Sequence, residues 1–139
     1  IRNNRKGEWM VLLAMKEPSK EQVNILMEGL KNSFPQIVSL HFANNDKRND
    51  SLYDMDIEHY AGAEYLTETL DGLEFRIRPK SFFQTNPDQA EKLYQITRDF
   101  AGMQSHEVVY DLYTGTGTIA CYVAKQAKKG VGIEYVEDA

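Results

Sequence analysis

Trp9 to Met15 is an unbroken apolar run of strand length between Gly7 and Pro18, the pattern of a buried strand. Ser19 with Gln22 three residues on forms a capping box, and Val23, Leu26, Met27, Leu30 and Phe34 then recur at helical spacing until Pro35. That segment is expected to be an amphipathic helix packed on a sheet. Ile37 to Ala43 places Val38, Leu40 and Phe42 on one strand face, and the wholly polar stretch 44–51 reads as an exposed connection. Between Glu64 and Arg78 two alternating runs flank Asp71-Gly72, a pair that favours the type I′ turn of a two-residue hairpin. Pairing outward from that turn puts Leu66, Leu70, Leu73, Phe75 and Ile77 on one face, with Glu68 the one polar residue among them. An edge position within reach of water is the simplest expectation for Glu68. On the other face stand Arg76 and Arg78, suited either to phosphate contact or to cross-strand pairing with neighbours such as Glu74.

After Pro79 the order becomes helix, strand, helix, strand. Asn86, Pro87 and Gln89 supply an N-cap, a proline at the first helical position and a box-like third residue. Ala90, Leu93, Tyr94, Thr97, Phe100 and Ala101 line one face of the helix that follows, which Gly102 ends. Residues 107–113 form the next strand with Val108, Val109 and Tyr110 as its buried core, followed by a helix from about Thr118 to Gln126 and a strand from Val131 to Tyr135. The expected class is therefore α/β: a mainly antiparallel α+β domain over 1–79, then the first βαβ part of a doubly wound, Rossmann-like domain over 80–139.

Composition narrows the function. The chain has 139 residues, about the length of one domain, with 42% hydrophobic and 27% charged residues, so it is expected to fold. No apolar run is long enough for a membrane helix and no signal-peptide pattern is visible, which makes the cytoplasm the expected location. Cys121 is the one cysteine, and His41, His59 and His106 are scattered, so neither a disulfide framework nor a metal site is expected. Sixteen Lys and Arg against 21 Asp and Glu give a net charge of -5, not the basic footprint of a self-sufficient nucleic-acid binder. A start at Ile1 and an end soon after the last strand suggest a piece of a longer protein.

The strongest chemical signal is Asp111-Leu112-Tyr113-Thr114-Gly115-Thr116-Gly117-Thr118, set between a strand and a helix. Gly115 and Gly117 allow a tight turn and close approach of a ligand to the backbone, and Glu134, closing the next strand, can accept hydrogen bonds from both ribose hydroxyls of a nucleoside. Gly115-x-Gly117-x-x-Ala120 also satisfies the dinucleotide fingerprint, so an oxidoreductase stays open. Asp111, four positions before Gly115, favours a methyltransferase loop. A second constellation, Ser81-Phe82-Phe83-Gln84-Thr85-Asn86-Pro87, places two adjacent aromatics on a connection. Their side chains diverge, so one should face solvent or a planar ligand. A non-enzymatic RNA-binding module using Arg76 and Arg78 is the third reading.

The runs FRIRPKSFFQTNPDQAEKLY, VYDLYTGTGTIA and VGIEYVEDA resemble the bacterial RNA uracil-5-methyltransferases, closely over 63–139 and more loosely over 1–62. The resemblance implies S-adenosylmethionine as cofactor, held by Gln84, Tyr113, Thr118 and Glu134 beside Asp111, Gly115 and Gly117. It implies RNA as partner, with ribosomal RNA favoured over transfer RNA, and formation of 5-methyluridine. Thr114 departs from the family, where many members have Cys, and Cys121 reads as a small buried side chain. The family's nucleophilic cysteine and general base belong to later strands, so these 139 residues alone are expected to be inactive.

Overall fold

The computed structural model describes residues 1–48, 51–52 and 54–135. The polar connection expected over 44–51 therefore lies in part outside the described residues, as do 136–139 of the closing motif. The chain forms two compact units: residues 1–67 with Arg78–Lys80, and residues 68–77 with those from Ser81 on. Residues 68–77 carry most of the hairpin, which the sequence pattern groups with the first domain.

The first unit is a four-stranded sheet in the order β1-β2-β3-β4, from β1 (Arg2–Asn3), β2 (Trp9–Met15), β3 (Ile37–Asn44) and β4 (Ile57–Gly62). The central pair β2–β3 is parallel, and antiparallel pairing is confined to β1–β2 and β3–β4. Helix α1 (Lys20–Ser33) makes the crossover that a parallel pair requires. Its capping box forms as the sequence indicates, with the Ser19 side chain accepting the Gln22 N–H and the Gln22 side chain accepting the Ser19 N–H. Val11, Met27, Leu40 and Phe42 are the buried centre, with Trp9, Leu13, Val23, Leu30 and Tyr60 packed around them. The buried stripe of α1 is narrower than its apolar pattern: the 23/27/30 row packs on the core, while Leu26 is 45% exposed and Phe34, 41% exposed, lies with its ring 6.0 Å from that of Trp9. Strand β4 has no clean alternation in Ile57-Glu58-His59-Tyr60-Ala61-Gly62 and is set by its pairing with β3.

Two polar features lock this unit. Asn4 is buried, its Oδ1 accepting the N–H groups of Lys6 and Glu8 at 3.0 and 2.9 Å. Its Nδ2 donates to Glu8 Oε2 and to the Thr67 carbonyl at 2.7 and 2.8 Å, so every polar atom of the amide is used. His41 is also buried, with Nε2 2.8 Å from Ser39 Oγ and its ring 5.3 Å from that of His59. Burial, then the neighbouring His59, hold the imidazole below its ordinary pKa against a smaller opposing effect of Glu64. The unfolded chain takes up this proton first as pH falls below about 6.5, so folding stability is complete above that value and declines towards the lower folded pKa. Urea midpoints read between pH 7.5 and 5 should therefore fall on acidification, and His41→Gln should flatten that dependence. A midpoint equally pH-dependent in the variant would show that other groups govern it.

Strands β5 (Leu66–Leu70), which starts in the first unit, and β6 (Leu73–Ile77) pair through Asp71 and Gly72 of the second, whose φ values of 48° and 75° are those of the expected type I′ turn. The turn is clamped from outside. Lys125 Nζ donates to Asp71 O and Oδ2 at 2.6 and 2.7 Å, Arg98 Nη1 lies 3.3 Å from Oδ2, and the Asp71 N–H donates to Glu91 Oε1. Arg98 also lies over the Tyr122 ring, 4.8 Å from its centroid. Lys125 chiefly, with Arg98, holds the Asp71 carboxyl below its usual pKa. Glu68 is not the water-reachable edge residue expected from the pattern: it is 4% exposed, with Oε1 accepting the Thr69 N–H at 2.8 Å.

Helix α2 (Pro87–Ala101) starts at the Asn86 cap and stops at Gly102 in the left-handed region. Only Ala90 and Tyr94 of its expected apolar face are buried, while Leu93 and Phe100 are 53% and 89% exposed. The strands that follow, β7 (Val108–Asp111) parallel to β8 (Lys129–Gly132), form a two-stranded sheet in which Val108 and Tyr110, expected in the core, are 42% and 65% exposed. Helix α3 (Thr118–Ala124) joins them, ending two residues before the expected Gln126. Strand β8 begins and ends earlier than the apolar run 131–135, because its register is fixed by Val108 opposite Lys129.

Candidate functional site

The loop from β7 to α3 is built around Asp111. Its Oδ2 accepts the Thr114 hydroxyl at 3.1 Å and the Ala120 N–H at 3.2 Å. The second bond supplies what the helix lacks at its own start, since Gly117, the N-cap, has φ 78° and no side chain to offer. Asp111 therefore caps α3 from the preceding strand, with its negative charge at the positive end of the helix. Main-chain bonds close the loop onto β8: Ile133 N–H to Asp111 O at 2.8 Å, and Thr114 N–H to Ile133 O at 3.1 Å.

Glu134, just past β8, turns back over this loop. Its Oε2 accepts the Gly115 N–H at 2.7 Å and its Oε1 the Tyr135 N–H at 2.9 Å. Each carboxylate oxygen thus accepts a main-chain N–H, which orients the side chain. Asp111, Gly115, Gly117 and Glu134, all expected from the sequence, are thus joined into one hydrogen-bonded unit. Thr118 starts α3 with its hydroxyl 3.5 Å from that of Tyr94. Tyr113 is 93% exposed at the loop apex, a position from which a ring can lie against a bound nucleoside.

Gln84 is exposed on the connection ahead of α2, and among the described residues no hydrogen bond joins it to the loop. The two aromatics before it diverge as anticipated: Phe83 is buried 6.1 Å from the Phe75 ring, while Phe82 is 72% exposed. Thr114, known from sequence only as a departure from a family pattern, proves to be the residue that fixes Asp111. A hydroxyl three residues after an aspartate at a strand end was the available signal. Cys121 is exposed, not the buried side chain expected, because α3 turns Ala120, Tyr122 and Val123 inward instead. Among the described residues no cluster of three or more His, Cys, Asp or Glu side chains could hold a metal, and no helix is long and apolar enough to cross a membrane.

No protein-family model matches the chain. An uncharacterized RNA methyltransferase of Bacteroides thetaiotaomicron is 44% identical over 142 residues, covering all of this chain and 31% of that protein. Another, of Porphyromonas gingivalis, is 47% identical over 139 residues, covering all of this chain and 30% of the relative. Over its whole length the chain is thus similar to a segment of proteins named as RNA methyltransferases. It spans about a third of the length of the curated relatives it matches. Among solved structures, the Pyrococcus abyssi tRNA (uracil-54, C5)-methyltransferase in complex with S-adenosyl-L-homocysteine superposes with a TM-score of 0.72 at 30% identity. That match covers 96% of this chain and 31% of the solved one.

Proposed function

We propose that this segment is the cofactor-binding part of an enzyme that transfers a methyl group from S-adenosylmethionine to C5 of a uridine in RNA. The observation that carries the reading is the Glu134 carboxylate fixed over the Gly115 amide at the end of β8, where a ribose diol would meet it. The donor set fits such a nucleoside: acceptors on Glu134, an exposed ring at Tyr113, hydroxyl and amide side chains at Thr118 and Gln84, and a glycine loop fixed by Asp111. The relatives' names favour methyl transfer over hydride transfer or simple RNA binding, and the uracil enzyme of Pyrococcus abyssi supports C5 as the atom. S-adenosylmethionine, when bound, supplies the electrophilic methyl group. Phe82, exposed beside Gln84, is placed to stack on a planar group. Ribosomal RNA in the cytoplasm is the first substrate to try, with transfer RNA the second.

Uracil C5 is a poor nucleophile until a thiolate adds to C6, after which C5 takes the methyl group, a base removes the C5 proton and the thiolate leaves. Cys121 is the only cysteine of the 139 residues and lies on α3, the helix of the glycine loop, so the chain alone should show no turnover. A protein extended to the length of the relatives should transfer labelled methyl to RNA carrying tritium at uracil C5 and release tritium in equal amount. Methyl transfer without tritium release would move the target to another atom. Turnover by the 139 residues themselves would overturn the account of the missing nucleophile.

A further inference from the structure

The first unit holds a cavity of about 310 Å³ between α1 and the edge strand β4, within the usual size range for small-ligand pockets of roughly 300–1,000 Å³. Its apolar lining is Val23, Phe42 and Tyr60. The Tyr60 ring is fixed, because its hydroxyl donates to Glu28 Oε1 at 3.2 Å. Lys20 and Asn24 stand one helical turn apart on α1, and β4 adds the Glu58 carboxylate and the His59 ring, so that Glu58 is the charged acceptor of the lining. Glu58 and Tyr60 both line it from β4, where the register with β3 shifts between the His41–His59 and Leu40–Ala61 pairs. The lining thus combines an aromatic surface with donors from the helix and a carboxylate from the strand.

We propose that this cavity seats an unpaired guanine of the RNA substrate, an anchoring contact separate from the methyl-transfer site. The inference rests on RNA being the substrate. Guanine presents one acceptor, O6, beside two donors, N1–H and the 2-amino group, which matches Lys20 and Asn24 on one side and a bidentate Glu58 on the other. Uracil presents acceptor, donor, acceptor, and would turn a carbonyl oxygen towards the carboxylate. Adenine offers one donor next to an acceptor. Sequence-specific RNA recognition acts on splayed bases stacked against aromatic rings and hydrogen-bonded at their edges, as this lining permits.

The test is a titration of the isotopically labelled chain with 5′-GMP, 5′-IMP, 5′-AMP and 5′-UMP, following backbone amides by NMR. GMP should shift Lys20–Asn24 and Glu58–Tyr60 saturably, with UMP and AMP weaker by about fivefold or more. IMP, which lacks the 2-amino group, should fall between them. Glu58→Gln and Asn24→Ala should each weaken GMP while leaving the thermal midpoint unchanged, and the Gln variant should lose the preference for GMP over IMP. UMP binding as tightly as GMP, shifts scattered over the chain, or unaltered GMP affinity in both variants would overturn the proposal. Tritium release from uracil C5 with no GMP binding would sink this inference alone. GMP binding without methyl transfer to any RNA would leave a guanine site and remove the enzymatic reading.

Discussion

Gly62→Ala should cost the first unit about 4 kcal/mol or more, a large part of the roughly 5–15 kcal/mol that separates folded from unfolded domains. Gly62 has φ 80°, and a Cβ there would lie 2.2 Å from the Val38 carbonyl oxygen and 2.9 Å from its carbon. Both are backbone atoms of β3, so no side-chain rotation relieves the overlap. The strand end must move instead, and it carries the Ser39–Gly62 register and the Ala63 N–H to Val38 O bond of 2.7 Å. The chain's single tryptophan, Trp9, packs against the core of this unit and reports its unfolding in urea. Gly29→Ala on α1 is the control, since a Cβ there meets nothing within 4 Å. That change should be neutral or stabilise by up to about 1 kcal/mol. Equal midpoints for the two variants would mean that β4 is not held where the structure places it.

Glu134→Ala should weaken binding of S-adenosylhomocysteine by about a hundredfold, measured by calorimetry on a protein extended to the length of the relatives. Two ribose hydroxyls donating to one carboxylate make charged hydrogen bonds, each worth about 1.5–3 kcal/mol when a partner is removed. Their sum converts to roughly two to four powers of ten, reduced by water that replaces the carboxylate at an exposed position. The variant also removes the acceptor of the Gly115 N–H, so the loop loses part of its fixed shape. Glu134→Gln keeps one carbonyl acceptor and should lose about tenfold. If both variants bind as tightly as the parent, the ribose is held elsewhere and the assignment of this strand end fails.

What was legible in the sequence was local. Asp71-Gly72 fixes its own turn through positive φ at both residues, and Ser19 and Asn86 cap their helices through bonds three residues away. Those interactions need no knowledge of the rest of the chain. The glycine loop was readable as a tight strand-to-helix turn because the positive φ at Gly115 and Gly117 restricts the residue types there. Strand β4 was not, because its six residues acquire strand geometry from β3 and carry little alternation of their own. Glu68 breaks an apolar alternation yet is buried, and a polar residue on a buried face carries no mark of whether its hydrogen bonds will be met. The parallel pairing of β2 with β3 likewise follows from the side on which α1 returns, which periodicity does not record.

The cap that Asp111 lends to α3 has a dynamic consequence. A helix of seven residues is far below the length that persists in water without outside support, and this one has no cap of its own. Its support comes from the inward packing of Ala120, Tyr122 and Val123 and from the carboxylate that also holds Thr114. The loop and the helix therefore open and close together as one cooperative element, with a common free energy of local unfolding. Whatever immobilises the glycine turn slows solvent exchange along α3 as well, so a ligand seated at one end of this element is felt in the amides of both turns of the helix.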